Sequence, residues 1–406
     1  MGVDRISWLV VCLASFGGCD WLDPSSDGKS TGDTGAGPSD ADADADADAD
    51  SDADADTDSD ADTDTDAGGW TFSAHPCVGN RTDALWADDQ DTLWVGCGTT
   101  ATGYGLFRST DGGLGWTSPD TSPSGFFDAM RVDSVSRSSD GLLYVAGIHG
   151  AEQVVSVDTS VEPYVVSEVF TSTSQVWNTF QVGSFRRAPS GLAVAESLNG
   201  YGLAIRPGDA APFEDAYGAA GSHQILDLVE YDGSFYGVGS TISEPPIVFL
   251  PPPGGHDPAE SFALVPVELV SGVSAFDGEL WGIAVDAGGI AVAGVNQDAD
   301  VGYVFVSGAD PTQASTWSAL DVSSVVGDEP TWMRGICRSG ATIVAVGEYS
   351  RRAEGLILRS DDGGGSFTDV TPSDEVAVPP LHECVVFDDG DLIVTGADGF
   401  VGSYAH

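Results

Sequence analysis

The chain reads as an all-β protein, a seven-bladed β-propeller whose N-terminal strand closes the last blade. Three observations predict this. A short apolar strand with a small residue near its end recurs seven times; a Gly-ended turn precedes most copies; and Gly fills 53 of 406 positions against a single Lys, Lys29. Gly at that density favours turns over helices. With 41% hydrophobic residues, 10 Trp, 17 Phe and 10 Tyr, the chain can still bury a large core.

In chain order, Met1–Arg5 is a short polar start, and Ile6 to Phe16 (ISWLVVCLASF) is an apolar run. Eleven such residues are too few to span a bilayer but suit a signal-peptide core. Gly17-Gly18-Cys19 follows and resembles the lipobox of bacterial lipoproteins, although Phe16 stands where Leu is usual. The resemblance implies a lipoprotein signal peptide over 1–18 and lipidation at Cys19, with export without a lipid as the plainer alternative.

Residues 19–68 form the second part. Asp occupies every even position from Asp40 to Asp66, fourteen in all, mostly alternating with Ala. Such a segment has no face worth burying, so it is expected to be a disordered tether of up to roughly 150 Å at about 3.3 Å per residue. An EF-hand would need Gly where Ala67 stands, and Glu at its twelfth position.

The net charge of −50 excludes whole classes of function. Nucleic-acid binding needs a basic footprint, and anionic lipid repels an acidic chain. After Gly68 there remain 45 acids against twelve Arg, so the globular part is strongly acidic in its own right.

Residues 69–406 carry the repeat. Its strands are LWVGCG from Leu93, LYVAGI from Leu143, LAVAES from Leu192, FYGVGS from Phe235, IAVAGV from Ile290, IVAVGE from Ile343 and LIVTGA from Leu392. The starts are 43 to 55 residues apart, each copy followed by a further strand such as GLILRS at 355. Four short strands per period is the pattern of propeller blades, which bury their faces only against one another. The last unit stops three strands in, and Gly69-Trp70-Thr71-Phe72 is expected to supply its fourth.

Two turns are more specific. Ser109, Asp111, Gly113 and Trp116 fit S-x-D-x-G-x-x-[WF], as do Ser360, Asp362, Gly364 and Phe367. This resembles the Asp-box, or BNR repeat, of sialidase-like propellers, where it joins the third and fourth strands and has a structural role. The stretch from 345 to 364 resembles one blade of photosystem II assembly factors. Sialidases clamp a carboxylate with three Arg, the first of them ahead of the first Asp-box. Between Gly68 and Ser109 the only Arg are Arg81 and Arg108, in the wrong contexts, so the resemblance implies the fold and not that activity.

Four Cys fall in the repeat region. Three connectivities are possible, and the expected one is Cys77–Cys97 with Cys337–Cys384, within the first blade and between adjacent innermost strands. No metal site has the necessary spacing, no cofactor is implied, and the six His stand apart from any nucleophile motif.

A propeller's ligand face is built from the loops joining strand 4 to 1 and strand 2 to 3. The candidates there are Arg131, Trp177, Glu196, Tyr201, Trp332, Arg334, Glu348, Tyr349, Arg351 and Arg352. Arg131 and Arg334 begin the similar stretches MRV and MRG, and channel carboxylates such as Asp128 and Glu383 are their expected partners. Asp298 and Asp300 also suit a calcium-dependent adhesin. The function expected is that of an exported, lipid-anchored, non-catalytic binding or scaffold module at the outer membrane or cell surface. Its partner would be a protein or glycan, it would meet the membrane only through the lipid, and it would be a monomer. The alternative is a glycoside hydrolase or lyase of sialidase-like fold.

Overall fold

The structure is a computed structural model. It describes residues 69–73, 76–77, 79–98, 103–138, 140–149, 152–171, 182–188, 191–196, 203–206, 214–215, 223–241, 246–251, 263–266, 278–372 and 377–406. The signal peptide, Cys19 and the Asp/Ala-rich segment lie outside the described residues. The chain divides into Met1–Asp62 and Thr63–His406, and every described residue belongs to the second unit.

The described part is all-β apart from short helical turns, and its sheets follow one another in chain order. After β1 (Trp70–Phe72), the first sheet holds β2 (Thr82–Ala87), β3 (Leu93–Gly98) and β4 (Gly103–Ser109). The second holds β5 (Thr121–Ser122), β6 (Arg131–Arg137), β7 (Leu143–Ile148), β8 (Glu152–Asp158) and β9 (Tyr164–Thr171). Next come β10 (Val182–Ala188), β11 (Gly191–Glu196), β12 (Leu203–Arg206) and β13 (Glu214–Asp215), then β14 (His223–Tyr231), β15 (Ser234–Thr241), β16 (Ile247–Leu250) and β17 (Ala263–Pro266). They are followed by β18 (Gly278–Asp286), β19 (Gly289–Asn296), β20 (Val301–Val306) and β21 (Ser318–Asp321), and by β22 (Thr331–Ser339), β23 (Thr342–Tyr349), β24 (Glu354–Ser360) and β25 (Thr368–Asp369). The last sheet is β26 (Leu381–Val386), β27 (Leu392–Gly396) and β28 (Val401–Tyr404), completed by β1. Trp70 pairs with Tyr404 and Phe72 with Gly402.

The expectation of seven four-stranded blades is corrected to six. Six sheets have four or five strands and form complete blades, whereas β2-β3-β4 stops at three. Its fourth place holds one bridge, Arg108 with Thr117. Pro119 follows at once and cannot donate to a ladder. The chain then crosses to the next sheet, where β5 pairs with β9 in parallel. Met130, just after the 3-10 turn Phe126–Ala129, covers the vacated edge, its carbonyl accepting the Gly105 N–H at 3.0 Å.

Each first strand packs on the next, β2 on β6 and so on to β26, which returns to β2. The second strands are therefore covered on both faces. All six residues of β3 are buried, as are six of the eight in β23. Between sheets the core is apolar. Leu280, Val292 and Phe305 meet Val238 and Val248, and Trp70, Val394 and Phe400 meet Val344 and Ile357.

Every first strand carries a β-bulge near its start, so one residue faces no partner on the second strand. These residues are Asp83, Asp133, Gly183, Leu226, Trp281, Arg334 and His382. The bulge explains the small residue of the repeat. A Cβ built at Gly147, Gly294, Gly347 or Gly396 would collide with the carbonyl oxygen of Arg131, Glu279, Trp332 or Pro380 respectively. At these four positions only Gly lets the bulged backbone pass so close, whereas Cys97 and Glu196 stand at the corresponding places of their sheets.

Disulfides join Cys77 to Cys97 and Cys337 to Cys384, with Cα atoms 5.5 and 5.7 Å apart. The second staples β22 to β26 across two blades, and the first ties the entry segment to β3.

The candidate ligand face

The starts of first strands and the ends of second strands lie at one end of the ring, and the bulges bring side chains together there. Trp281 is the bulge residue of β18 and Arg334 that of β22. The Arg334 guanidinium lies 4.7 Å from the Trp281 ring centroid and 5.4 Å from that of Trp332. The two indoles meet edge to face, with centroids 5.7 Å apart and planes at 71°. A guanidinium over indole faces gains electrostatically from the ring quadrupole.

Carboxylates surround this stack. Arg334 Nε donates to Glu348 Oε1 at 2.8 Å, and Nη2 reaches the same oxygen. Glu348 is 7% exposed, so its charge needs this partner. Trp281 Nε1 donates to Glu279 at 2.7 Å, and Trp332 Nε1 to Asp300 at 2.6 Å. Ser350 Oγ also reaches Asp300 Oδ1, at 3.4 Å. Asp300 has φ 54°, a left-handed conformation open to Asp, which turns its side chain toward β22.

Beside the stack, Arg352 lies 4.5 Å from the Tyr349 ring centroid. It forms ion pairs with Glu329 and with Glu354, the latter at 3.2 Å. The Tyr349 hydroxyl donates to Asp369 at 3.5 Å. Burial, and then the Asp369 carboxylate, push the Tyr349 phenol up to about 12, so it stays protonated at any ordinary pH. Arg351 is exposed.

Of the candidates, Trp332, Arg334 and Glu348 meet directly, and Tyr349 and Arg352 pair beside them. Arg131 does not join them. It pairs with Asp133 at 2.7 Å, so the partner named from sequence, Asp128, is corrected to Asp133, and Glu383 to Glu348 for Arg334. The likeness of MRV to MRG misleads because Val132 faces Gly147 while Met333 faces Gly347. In register, Arg131 matches Trp332, and the match of Arg334 is Asp133. Trp177 and Tyr201 lie outside the described residues; Glu196 is placed only by its backbone pairing with Val182.

Sequence reasoning missed Trp281 and Glu279. The signal was present: Leu280-Trp281-Gly282-Ile283 aligns with Met333-Arg334-Gly335-Ile336. That alignment places Trp281 at the bulge beside Arg334.

Five carboxylates that the fold holds below their ordinary range, Asp88, Asp111, Asp158, Asp362 and Asp389, sit at the opposite end, in turns or at a strand end. In Asp88 burial acts upward but is outweighed by hydrogen bonds from Arg137, Trp94 and Trp86 and by the Arg137 charge. Asp111 is lowered by the Gly115 N–H and the Ser109 hydroxyl, and Asp362, to about 2, by the hydroxyl and N–H of Ser366 and the Ser360 hydroxyl. Asp158 and Asp389 follow, through the Ser160 hydroxyl and the Asp391 N–H. Hydrogen bonds to the ionised form stabilise turns here. The two S-x-D-x-G turns share their Ser, Asp and Gly bonds, and the second adds a bond from the Ser366 hydroxyl to Asp362. Ser109 and Ser360 donate to Asp111 and Asp362 at 2.8 Å, and accept from Gly113 and Gly364 at 2.8 and 2.9 Å. Among the described residues no group of three or more His, Cys, Asp and Glu side chains is arranged to hold a metal ion. No described helix is long and apolar enough to cross a membrane.

No family model matches the chain, and no curated protein does either. Solved structures do. YCF48 bound to D1 peptide superposes with a TM-score of 0.55 at 16% identity, covering 84% of this chain and 98% of that one. YCF48 from Cyanidioschyzon merolae gives 0.55 at 14%, covering 83% and 99%. A streptogramin B lyase gives 0.54 at 12%, covering 83% and 98%. At these identities the likeness is one of fold: the chain is a β-propeller of this type.

Proposed function

We propose that this propeller is a non-catalytic binding module that holds a polypeptide partner at the Trp281–Arg334–Trp332 face, tethered to the bacterial cell envelope by a lipid on Cys19. The observation that carries the binding role is the stack itself. Two half-buried indoles with a locked guanidinium form a rigid aromatic platform at the mouth of the ring, the kind of anchor on which interfaces concentrate their energy. The solved propeller with a D1 peptide supports a peptide as the ligand. Against chemistry stands the ion pairing of Arg334 with Glu348 and of Arg352 with Glu329, which leaves neither cation poised to act on a substrate.

The two matching turns are read as Asp-boxes, structural pins at the end away from the ligand. The anchor rests on Gly17-Gly18-Cys19 after a short apolar run, and the Asp/Ala segment would hold the propeller off the membrane.

An immobilised library of 12-residue peptides tests the binding role. Wild type is expected to retain a subset that Trp281→Ala and Trp332→Ala lose by tenfold or more; retention unchanged in both variants would sink it. Mass spectrometry of membrane-extracted protein should find a diacylglyceryl-modified peptide beginning at Cys19, and an unmodified mature terminus elsewhere would end the anchoring idea.

A further inference from the structure

We propose that the indole pair is a cation site, and that the segment it takes is a basic one, inserting a Lys or Arg side chain beside Arg334. This rests on the binding role above and names its ligand chemistry. Three independent features converge on it.

The first is the donor and acceptor inventory. Both indole N–H groups are spent, on Glu279 and Asp300. Among the described residues, Glu279 Oε1, Asp300 Oδ2 and Glu348 Oε2 accept no hydrogen bond, so the face offers acceptors and π-faces. Those acceptors, with the ring surface that Arg334 leaves uncovered, are the groups a cation uses, whereas an anionic ligand would find the nearest guanidinium already on Glu348.

The second feature is electronic. An indole whose N–H is bonded to a carboxylate carries more electron density on its ring than one bonded to water, which strengthens its attraction for a cation. The fold already places one guanidinium on these rings, 4.7 and 5.4 Å from the two centroids, which shows that they accept a cation.

The third is charge across the molecule. The formal net charge is −50, with no Lys after Lys29. Arg131, Arg137, Arg334, Arg338, Arg352 and Arg359 are each held by a carboxylate of the chain. Those six of the domain's twelve Arg are committed, and acids outnumber the rest, so complementary charge is best supplied by the partner. Such a field also steers a basic segment to the site.

Fluorescence anisotropy with labelled ten-residue peptides tests this, using the whole chain at low and moderate salt. One peptide carries a central Lys, a second norleucine in its place, and a third Glu. The Lys peptide is expected to bind at least tenfold tighter than the norleucine peptide. Trp332→Ala should abolish that preference although it leaves net charge unchanged. Glu279→Gln and Asp300→Asn, which disturb packing less, should each weaken the Lys peptide several-fold more than the norleucine peptide. If Trp332→Ala binds the Lys peptide as wild type does, the attraction is diffuse and the proposal fails. Equal or tighter binding of the norleucine or Glu peptide, still sensitive to Trp332, overturns the cation site while the binding role stands. No binding of any peptide overturns both.

Discussion

Gly347 shows how one residue controls the face. Its Cα lies under the Trp332 carbonyl, and any Cβ there would force the bulge of β22 outward. Gly347→Ala is expected to cost about 1–3 kcal/mol, as overpacking of close-fitted sites does. Because Trp332 and Arg334 ride on that bulge, peptide affinity should fall further than stability alone requires. Urea unfolding and anisotropy on the same variant separate the two effects. Asp362 governs a different property, the acid response of its turn. Its folded carboxyl is held down at about 2, against roughly 3.9 in an unfolded chain. The stability it contributes is therefore present above about pH 4 and lost as pH falls toward 2. Melting temperature measured from pH 5 to 2 should fall less steeply in Asp362→Asn than in wild type, and parallel curves would count against this. The residue scale is also where sequence reading worked least evenly. Ser360, Asp362 and Gly364 could be read directly because the bonds those three residues make within the turn are local. The pairing of Arg334 with Glu348 could not, because it depends on a bulge that shifts register by one residue.

At the scale of elements, β1 is the piece with most to test. Trp70 is 2% exposed, with its ring 6.2 Å from Phe72 and 5.2 Å from Tyr404. Trp70→Ala should cost about 3–5 kcal/mol by denaturant unfolding. Deleting residues 20–66 should leave the melting temperature nearly unchanged, whereas extending the deletion through Phe72 should lower it and promote aggregation at the bared edge of β28. Equal melting temperatures for the two truncations would refute the closure. The closing strand was legible because Gly69-Trp70-Thr71 resembles Gly115-Trp116-Thr117. That same likeness failed at Trp116, which is only partly buried and is followed by a single bridge, since Pro119 ends the ladder. Repeat counting sees strands that resemble one another; it does not see a strand such as β5 that leaves for the next sheet.

For the whole molecule, the period of 43 to 55 residues, the buried second strands and the Cys pairs all followed from apolar patterning and spacing. The number of complete blades did not, and neither did Trp281, because both depend on contacts between sheets. The ring has two unlike ends: turns pinned by depressed carboxylates at one, and the indole stack at the other. Hydrogen–deuterium exchange with and without the Lys peptide tests that division most directly. Protection is expected at 278–282, 297–302, 331–335 and 347–352, with the turns at 109–117 and 360–368 unchanged. Protection confined to those turns, with none at the stack, would contradict the account.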